Sequence, residues 1–175
     1  DKEYTGKPVT QNIVIKNGNV VLDEGTDYTV TYSANTKVGT VEVTITGTGS
    51  YFGEIKSSFD ILPAKQQIQK LETRFKGFFI DWAQKGSATG YEIEYSSNAD
   101  FKDSTVKKLT ANKPDTLTIS GLTAGNKYYV RVRSYTNVGE NVYYGAWSDS
   151  KNITTAKYDI TKSAISGISD RKSVV

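Results

Sequence analysis

The feature that most restricts what this chain can fold into is an alternation with a period of two. In Thr40-Val41-Glu42-Val43-Thr44-Ile45-Thr46 every second side chain is aliphatic and those between are polar. Successive side chains of an extended strand point to opposite faces, so Val41, Val43 and Ile45 line a core face while Thr and Glu meet water. Tyr28-Thr29-Val30-Thr31-Tyr32, Tyr91-Glu92-Ile93-Glu94-Tyr95 and Tyr128-Tyr129-Val130-Arg131-Val132-Arg133 repeat the pattern. These runs lie in both halves of the 175 residues, so an all-β chain is expected throughout.

Turn chemistry falls between the runs. Asn17-Gly18 separates Ile13-Val14-Ile15 from Val20-Val21-Leu22, and Asn-Gly suits the positive φ angles of a two-residue hairpin. Gly25, Gly39, Gly47, Gly49 and Gly53 punctuate the rest of the first half, and short strands at this spacing predict sandwiches rather than a parallel sheet. Phe59-Asp60-Ile61-Leu62 runs into Pro63, which cannot continue a central ladder, so a linker is expected over residues 63–65. One segment conflicts with the pattern. Between Gln66 and Phe75, the apolar Ile68, Leu71 and Phe75 recur at helical spacing among good helix formers, and periodicity alone predicts a short helix there.

Composition excludes several chemistries. Histidine and cysteine are absent, which removes zinc fingers, thiol nucleophiles, His-based triads and disulfide scaffolds. Lys+Arg number 22 against 19 Asp+Glu, and a net charge of +3 is too small to predict nucleic acid or an anionic membrane as partner. No apolar run approaches the roughly 20 residues of a membrane span, so a soluble chain without membrane insertion is expected. Asp23 with Glu24, and Asp100 with Asp103, read as solvated turn carboxylates ahead of calcium ligands or a glycosidase pair. Gly47-Thr48-Gly49 runs into Ser50-Tyr51-Phe52 with no helix-like segment behind it, so it is not a phosphate loop. Aromatic rings are the remaining functional hint, because sugars stack their apolar faces on exposed planar side chains. Core alternation absorbs most of the 12 Tyr, 6 Phe and 2 Trp but leaves Tyr51, Phe52, Tyr143 and Tyr144, which are the candidate ligand-binding residues.

Two resemblances cover most of the chain. Tyr4-Thr5-Gly6-Lys7-Pro8-Val9, Glu24-Gly25-Thr26-Asp27-Tyr28-Thr29-Val30-Thr31-Tyr32-Ser33, Asn35 with Val38-Gly39-Thr40, and Val43-Thr44-Ile45-Thr46-Gly47 with Gly49 and Tyr51 carry the first. On these, residues 1–62 resemble an immunoglobulin-like repeat of secreted and surface proteins of Gram-positive bacteria. Phe78-Phe79-Ile80-Asp81-Trp82, Tyr91 to Tyr95, Leu122 followed by Tyr128, Val130, Val132 and Ser134, and Tyr144-Gly145-Ala146-Trp147-Ser148 carry the second. On these, residues 66–156 resemble a fibronectin type III domain. The resemblance implies that Trp82 is core, that Trp147 is structural, and that Tyr128 forms a tyrosine corner with its phenol bonded back to the chain. It also implies that Ile68-Gln69-Lys70-Leu71 is a strand, and we side with it against the helical spacing because tertiary context overrides propensity in so short a segment. In such a sandwich the strand holding Glu92 and Glu94 neighbours the one holding Arg131 and Arg133. Exposed cross-strand ion pairs are then expected in place of a basic binding stripe.

Residues 157–175 resemble the first strand of a further repeat, through Ile160-Thr161-Lys162 and Ile165-Ser166-Gly167-Ile168, with Asp170-Arg171-Lys172 in the place of Asp1-Lys2-Glu3. We expect this tail to be able to exchange as an edge strand, and the chain to be two tandem β-sandwiches from a longer protein. The resemblances imply a non-catalytic spacer or adhesion module, extracellular, at the cell wall or secreted; the alternative is a carbohydrate-binding accessory module. Expected partners are neighbouring domains of the same polypeptide and a glycan or a host or cell-wall protein. No catalytic residue, cofactor or metal ligand is expected, and no strand places a lysine inward for a covalent Lys–Asn or Lys–Asp cross-link.

Overall fold

A computed structural model describes residues 1–86 and 88–158. They contain strands and no helix, so no helix among them is long and apolar enough to cross a membrane. In chain order the strands are β1 (Lys2–Glu3), β2 (Lys16–Asn17), β3 (Val20–Val21), β4 (Tyr28–Tyr32), β5 (Gly39–Gly47) and β6 (Glu54–Leu62). Then follow β7 (Gln67–Arg74), β8 (Gly77–Ala83), β9 (Gly90–Ser96), β10 (Thr105–Leu109), β11 (Thr116–Ile119), β12 (Lys127–Val138), β13 (Asn141–Tyr144) and β14 (Lys151–Thr154).

The first six strands build a sheet in the order β1-β6-β5-β4, faced by the β2-β3 hairpin. Val41, Val43 and Ile45 of β5 are buried and the residues between them are not, as the alternation requires. They join Leu22, Tyr28, Phe59 and Ile61 in one core. The hairpin forms one residue later than its sequence predicts: Asn17 pairs with Val20, so Gly18, at φ +59°, and Asn19 make the turn. Ile13-Val14-Ile15 is not a ladder strand. Its side chains still alternate half-buried and exposed, and Ile15 accepts a backbone bond from Leu22, so the apolar period is met by packing with little pairing.

The remaining strands form a sandwich. One sheet runs β10-β9-β12-β13 with β14 also on β12, and the other runs β11-β8-β7. Phe78, Ile80 and Trp82 from the smaller sheet meet Tyr91, Ile93, Tyr95, Val130 and Val132 from the larger. The two core clusters share no residue.

The helix suggested by Ile68, Leu71 and Phe75 does not form, and the reason is a bulge. Ile68 pairs with Trp82 but Lys70 pairs with Asp81, so Gln69 is an extra residue that resets the inside–outside parity. Ile68 and Leu71 therefore both face the core from an extended strand, three residues apart, while Phe75 lies beyond it and is half exposed. The tyrosine corner forms as well: Tyr128 Oη accepts the Thr123 backbone N–H at 3.2 Å.

Candidate functional site

The most heavily built region outside the cores is the junction between them. β6 stops at Leu62 and β7 starts at Gln67, and within that short connection Pro63, Ala64 and Gln66 are buried. Gln66 lies two residues before Ile68, so strand alternation turns its side chain inward, where a polar group must be bonded. Its Nε2 lies 2.6 Å from Ala64 O and 3.1 Å from both Lys85 O and Ser134 Oγ. Its Oε1 accepts the Lys85 backbone N–H at 3.0 Å. Ser134 Oγ in turn donates to Ala64 O at 3.1 Å, so β12, the β8–β9 loop and the connecting chain meet on one amide.

Contacts on either side of this centre tie the two units together by one end of each. Glu3 accepts the Lys65 backbone N–H at 3.1 Å. Thr40 donates its single hydroxyl proton to Asp60 at 2.6 Å, so at 2.9 Å Tyr143 is the donor to Thr40 Oγ1. The Tyr4 ring covers Gly86, where a Cβ would stand 3.0 Å from Cδ1, and Pro63 O lies so close to Gly145 that a Cβ there would approach it to 2.6 Å. Small residues at 86 and 145 let the two surfaces come this near.

Lys65 Nζ also pairs with Asp149 at 2.7 Å. That hydrogen bond, helped by the charge of Lys65, holds the Asp149 carboxyl below the ordinary aspartate range. A carboxyl with a lower pKa folded than unfolded stabilises the fold above its unfolded pKa, and the contribution is lost as pH falls through the folded value. Asp149 is solvent-exposed, so the contribution is small. Its titration midpoint by carboxyl-carbon NMR is expected below that of a free aspartate and to rise in Lys65→Ala; an unmoved midpoint in the variant contradicts the pair.

A second polar construction covers the outer face of β9 and β12. Glu94 and Arg131 are register partners, as are Glu92 and Arg133, and both pairs are bonded, at 2.6 Å and 2.7 Å. The pairing is the expected one but its setting is not. The two acid side chains are only about 10% exposed, because the guanidinium groups above them are themselves sandwiched between rings. Arg131 lies 4.0 Å from the Phe101 ring centre and 4.8 Å from Trp147; Arg133 lies 4.3 Å from Trp147 and 4.2 Å from Tyr144. Ring faces attract cations, so the stack Phe101–Arg131–Trp147–Arg133–Tyr144 turns surface ion pairs into a shielded, ordered layer. It leaves no free basic stripe. Among the described residues no group of acids could hold a metal ion.

The family match agrees with this geometry. Residues 75–151 match the fibronectin type III domain. The matched residues hold most of the second core, the tyrosine corner and the stacked face, and a fibronectin type III match supports a non-catalytic module. No curated protein matches the chain. Similar solved structures include one described as a myokine structure, at 11% identity and TM-score 0.46, covering 54% of this chain and 99% of that one. The chicken CNTN1 FN1-FN3 domains are 15% identical at TM-score 0.47, covering 69% of this chain and 44% of that chain. A beta-1,2-glucanase from Parabacteroides distasonis is 16% identical at TM-score 0.44, covering 68% of this chain and 18% of that chain. Likenesses this distant carry no argument about activity.

The four candidate rings do not come together. Tyr143 places its hydroxyl on Thr40 across the junction, and Tyr144 lies over Arg133 in the ring–arginine stack. Alternation could not show this, because Thr40 comes from a distant strand and Tyr144 meets Arg133 only across the β12–β13 pairing. Tyr51 packs against the first core, and Phe52 beside it is 97% exposed. Sequence reading missed Gln66 and Ser134 as junction residues. The available signal was their parity, since both fall on inward positions of strands otherwise filled by Ile68, Val130 and Val132.

Proposed function

We propose that this chain is a non-catalytic spacer and adhesion module of an extracellular protein, in which an immunoglobulin-like unit (1–62) and a fibronectin type III unit (66–156) are held at a fixed spacing by residues 63–65 and their contacts. The carrying observation is the buried Gln66 side chain, which ties the connecting chain at Ala64 to Lys85 and Ser134 of the second unit, with Glu3–Lys65 and Thr40–Tyr143 reaching across from the first. Flexible linkers expose polar, unbonded backbone; this one is buried and bonded, and the units beside it touch through several independent contacts. Neighbouring modules of the same polypeptide are its first partners. Cell-wall or secreted placement fits a thiol-free chain of this architecture. Small-angle scattering of the chain is expected to fit one elongated conformer. A profile that only a broad ensemble of relative orientations fits contradicts the spacer reading, and an antibody to the chain that labels only permeabilised source cells contradicts the placement.

A second reading, glycan binding, rests on Phe52, exposed above a cleft of about 290 Å³ that Tyr51 lines with Tyr28, Ile55 and Glu54. Affinity electrophoresis on glycans with the chain and its Phe52→Ala variant separates the two readings.

A further inference from the structure

The amino-terminal sheet has one edge that is paired over only part of its length. On one side β6 pairs with β5 from Glu54 to Ile61; on the other it pairs with β1 only at Ile61 and Leu62. Among the described residues, nothing pairs with residues 54–60 on that second side. The inward face of β6 follows the same division. Ile61 is fully buried and Phe59 nearly so, whereas Ile55 is 55% exposed although it lies opposite the buried Ile45. Clefts of about 330 and 290 Å³ open beside this stretch, one lined by Ile13, Val43, Ser57 and Phe59, the other by Tyr51 and Ile55. An unpaired edge next to an uncovered isoleucine is a template for strand addition.

We propose that residues 164–169 of a second copy of this chain fill that edge, parallel to β6 and in line with β1, with Ile165 opposite Ile55. The direction continues the parallel pairing already made by β1. The register follows from which residues would face the core. Ile168 opposite Ile55 would put Asp170 inward, and Ile160 there would put Lys162 inward. Ile165 puts only Gly167 and Ser169 beside Ser57 and Phe59, so no charge is buried. A second copy is required by reach. The chain leaves the sandwich after Tyr158, whose ring packs on Phe75 at 5.7 Å, at the end of β7 away from the junction. β7 and the part of β6 back to Ile55 each extend about 25 Å from the junction, and the contacts described between the two units lie at that end of each. Seven residues from Tyr158 to Ile165 span at most about 25 Å, about half of the two lengths together. The contact is head-to-tail, so its repetition joins successive copies into rings or open chains.

The chain has no cysteine, which makes a cross-link unambiguous. The variant I55C/I165C, oxidised with copper phenanthroline, is expected to give dimers and a ladder of higher multimers on a non-reducing gel, and V14C/I165C, with its first cysteine at another exposed site, is not. Light scattering of the unmodified chain is expected to show a mass that rises with concentration, and a chain ending at Tyr158 is expected to stay monomeric. Closure of I55C/I165C within single copies, equal ladders from both variants, a concentration-independent monomer, or association that survives removal of residues 159–175 would each overturn the proposal. None of these outcomes bears on the fixed junction.

Discussion

Trp82→Ala is expected to destabilise the second sandwich by about 3–5 kcal/mol, the range for removing a fully buried large aromatic from a close-packed core. Trp82 has no exposed surface, stacks edge-on against Tyr91 at 5.2 Å, and touches both sheets through the same cluster. Its Nε1 and the Tyr91 phenol have no hydrogen-bond partner, so the loss is one of packing rather than bonding. Burial raises the Tyr91 pKa above its ordinary value; Gln84 and Trp82 lie near enough to temper the rise without meeting hydrogen-bond geometry. Since the amino-terminal core shares no residue with this one, calorimetry is expected to show one transition falling by more than about 10 °C while the other stays in place. A loss under about 1 kcal/mol would contradict the close packing around Trp82, and equal movement of both transitions would mean that the cores are not independent.

Gln66→Leu has the second large effect. Leucine keeps most of the volume and removes the amide, which leaves the Lys85 N–H and C=O without their partner; Ala64 O retains Ser134 Oγ. An unsatisfied buried backbone group costs about 1–3 kcal/mol, and the β8–β9 loop can recover part of this from water. The expected loss is therefore about 1–3 kcal/mol by denaturant titration, with a looser relation between the units. Unchanged stability and unchanged geometry would show that the outer contacts alone, such as Thr40–Tyr143 and Glu3–Lys65, set the junction.

Much of this architecture was legible in the chain because alternation is a local signal. Val41, Val43 and Ile45 follow from period, whereas the pairing of Glu92 and Glu94 with Arg133 and Arg131 needed the strand order that the fibronectin type III resemblance implies. The failures share one cause, which is that the deciding contact was not local. The bulge at Gln69 depends on β8 and converts a helical spacing into a strand. The shielding of the arginine pairs depends on Phe101, Tyr144 and Trp147, which arrive from separate loops and strands. Tyr143 looked like an unexplained surface ring because its partner, Thr40, is 103 residues away. The candidate strand in the 157–175 tail, carried by residues 160–168, lies outside the described residues.

The most direct test of the fixed spacing is a distance between the units. Nitroxides at T29C on β4 and K107C on β10 sit on exposed strand positions of the two units, and dilution into unlabelled chain removes distances between copies. Double electron–electron resonance is expected to give one narrow distance distribution in this background and a broadened one when Gln66→Leu is added. A distribution already broad with Gln66 in place, and unaltered by its replacement, would contradict a junction held by that side chain.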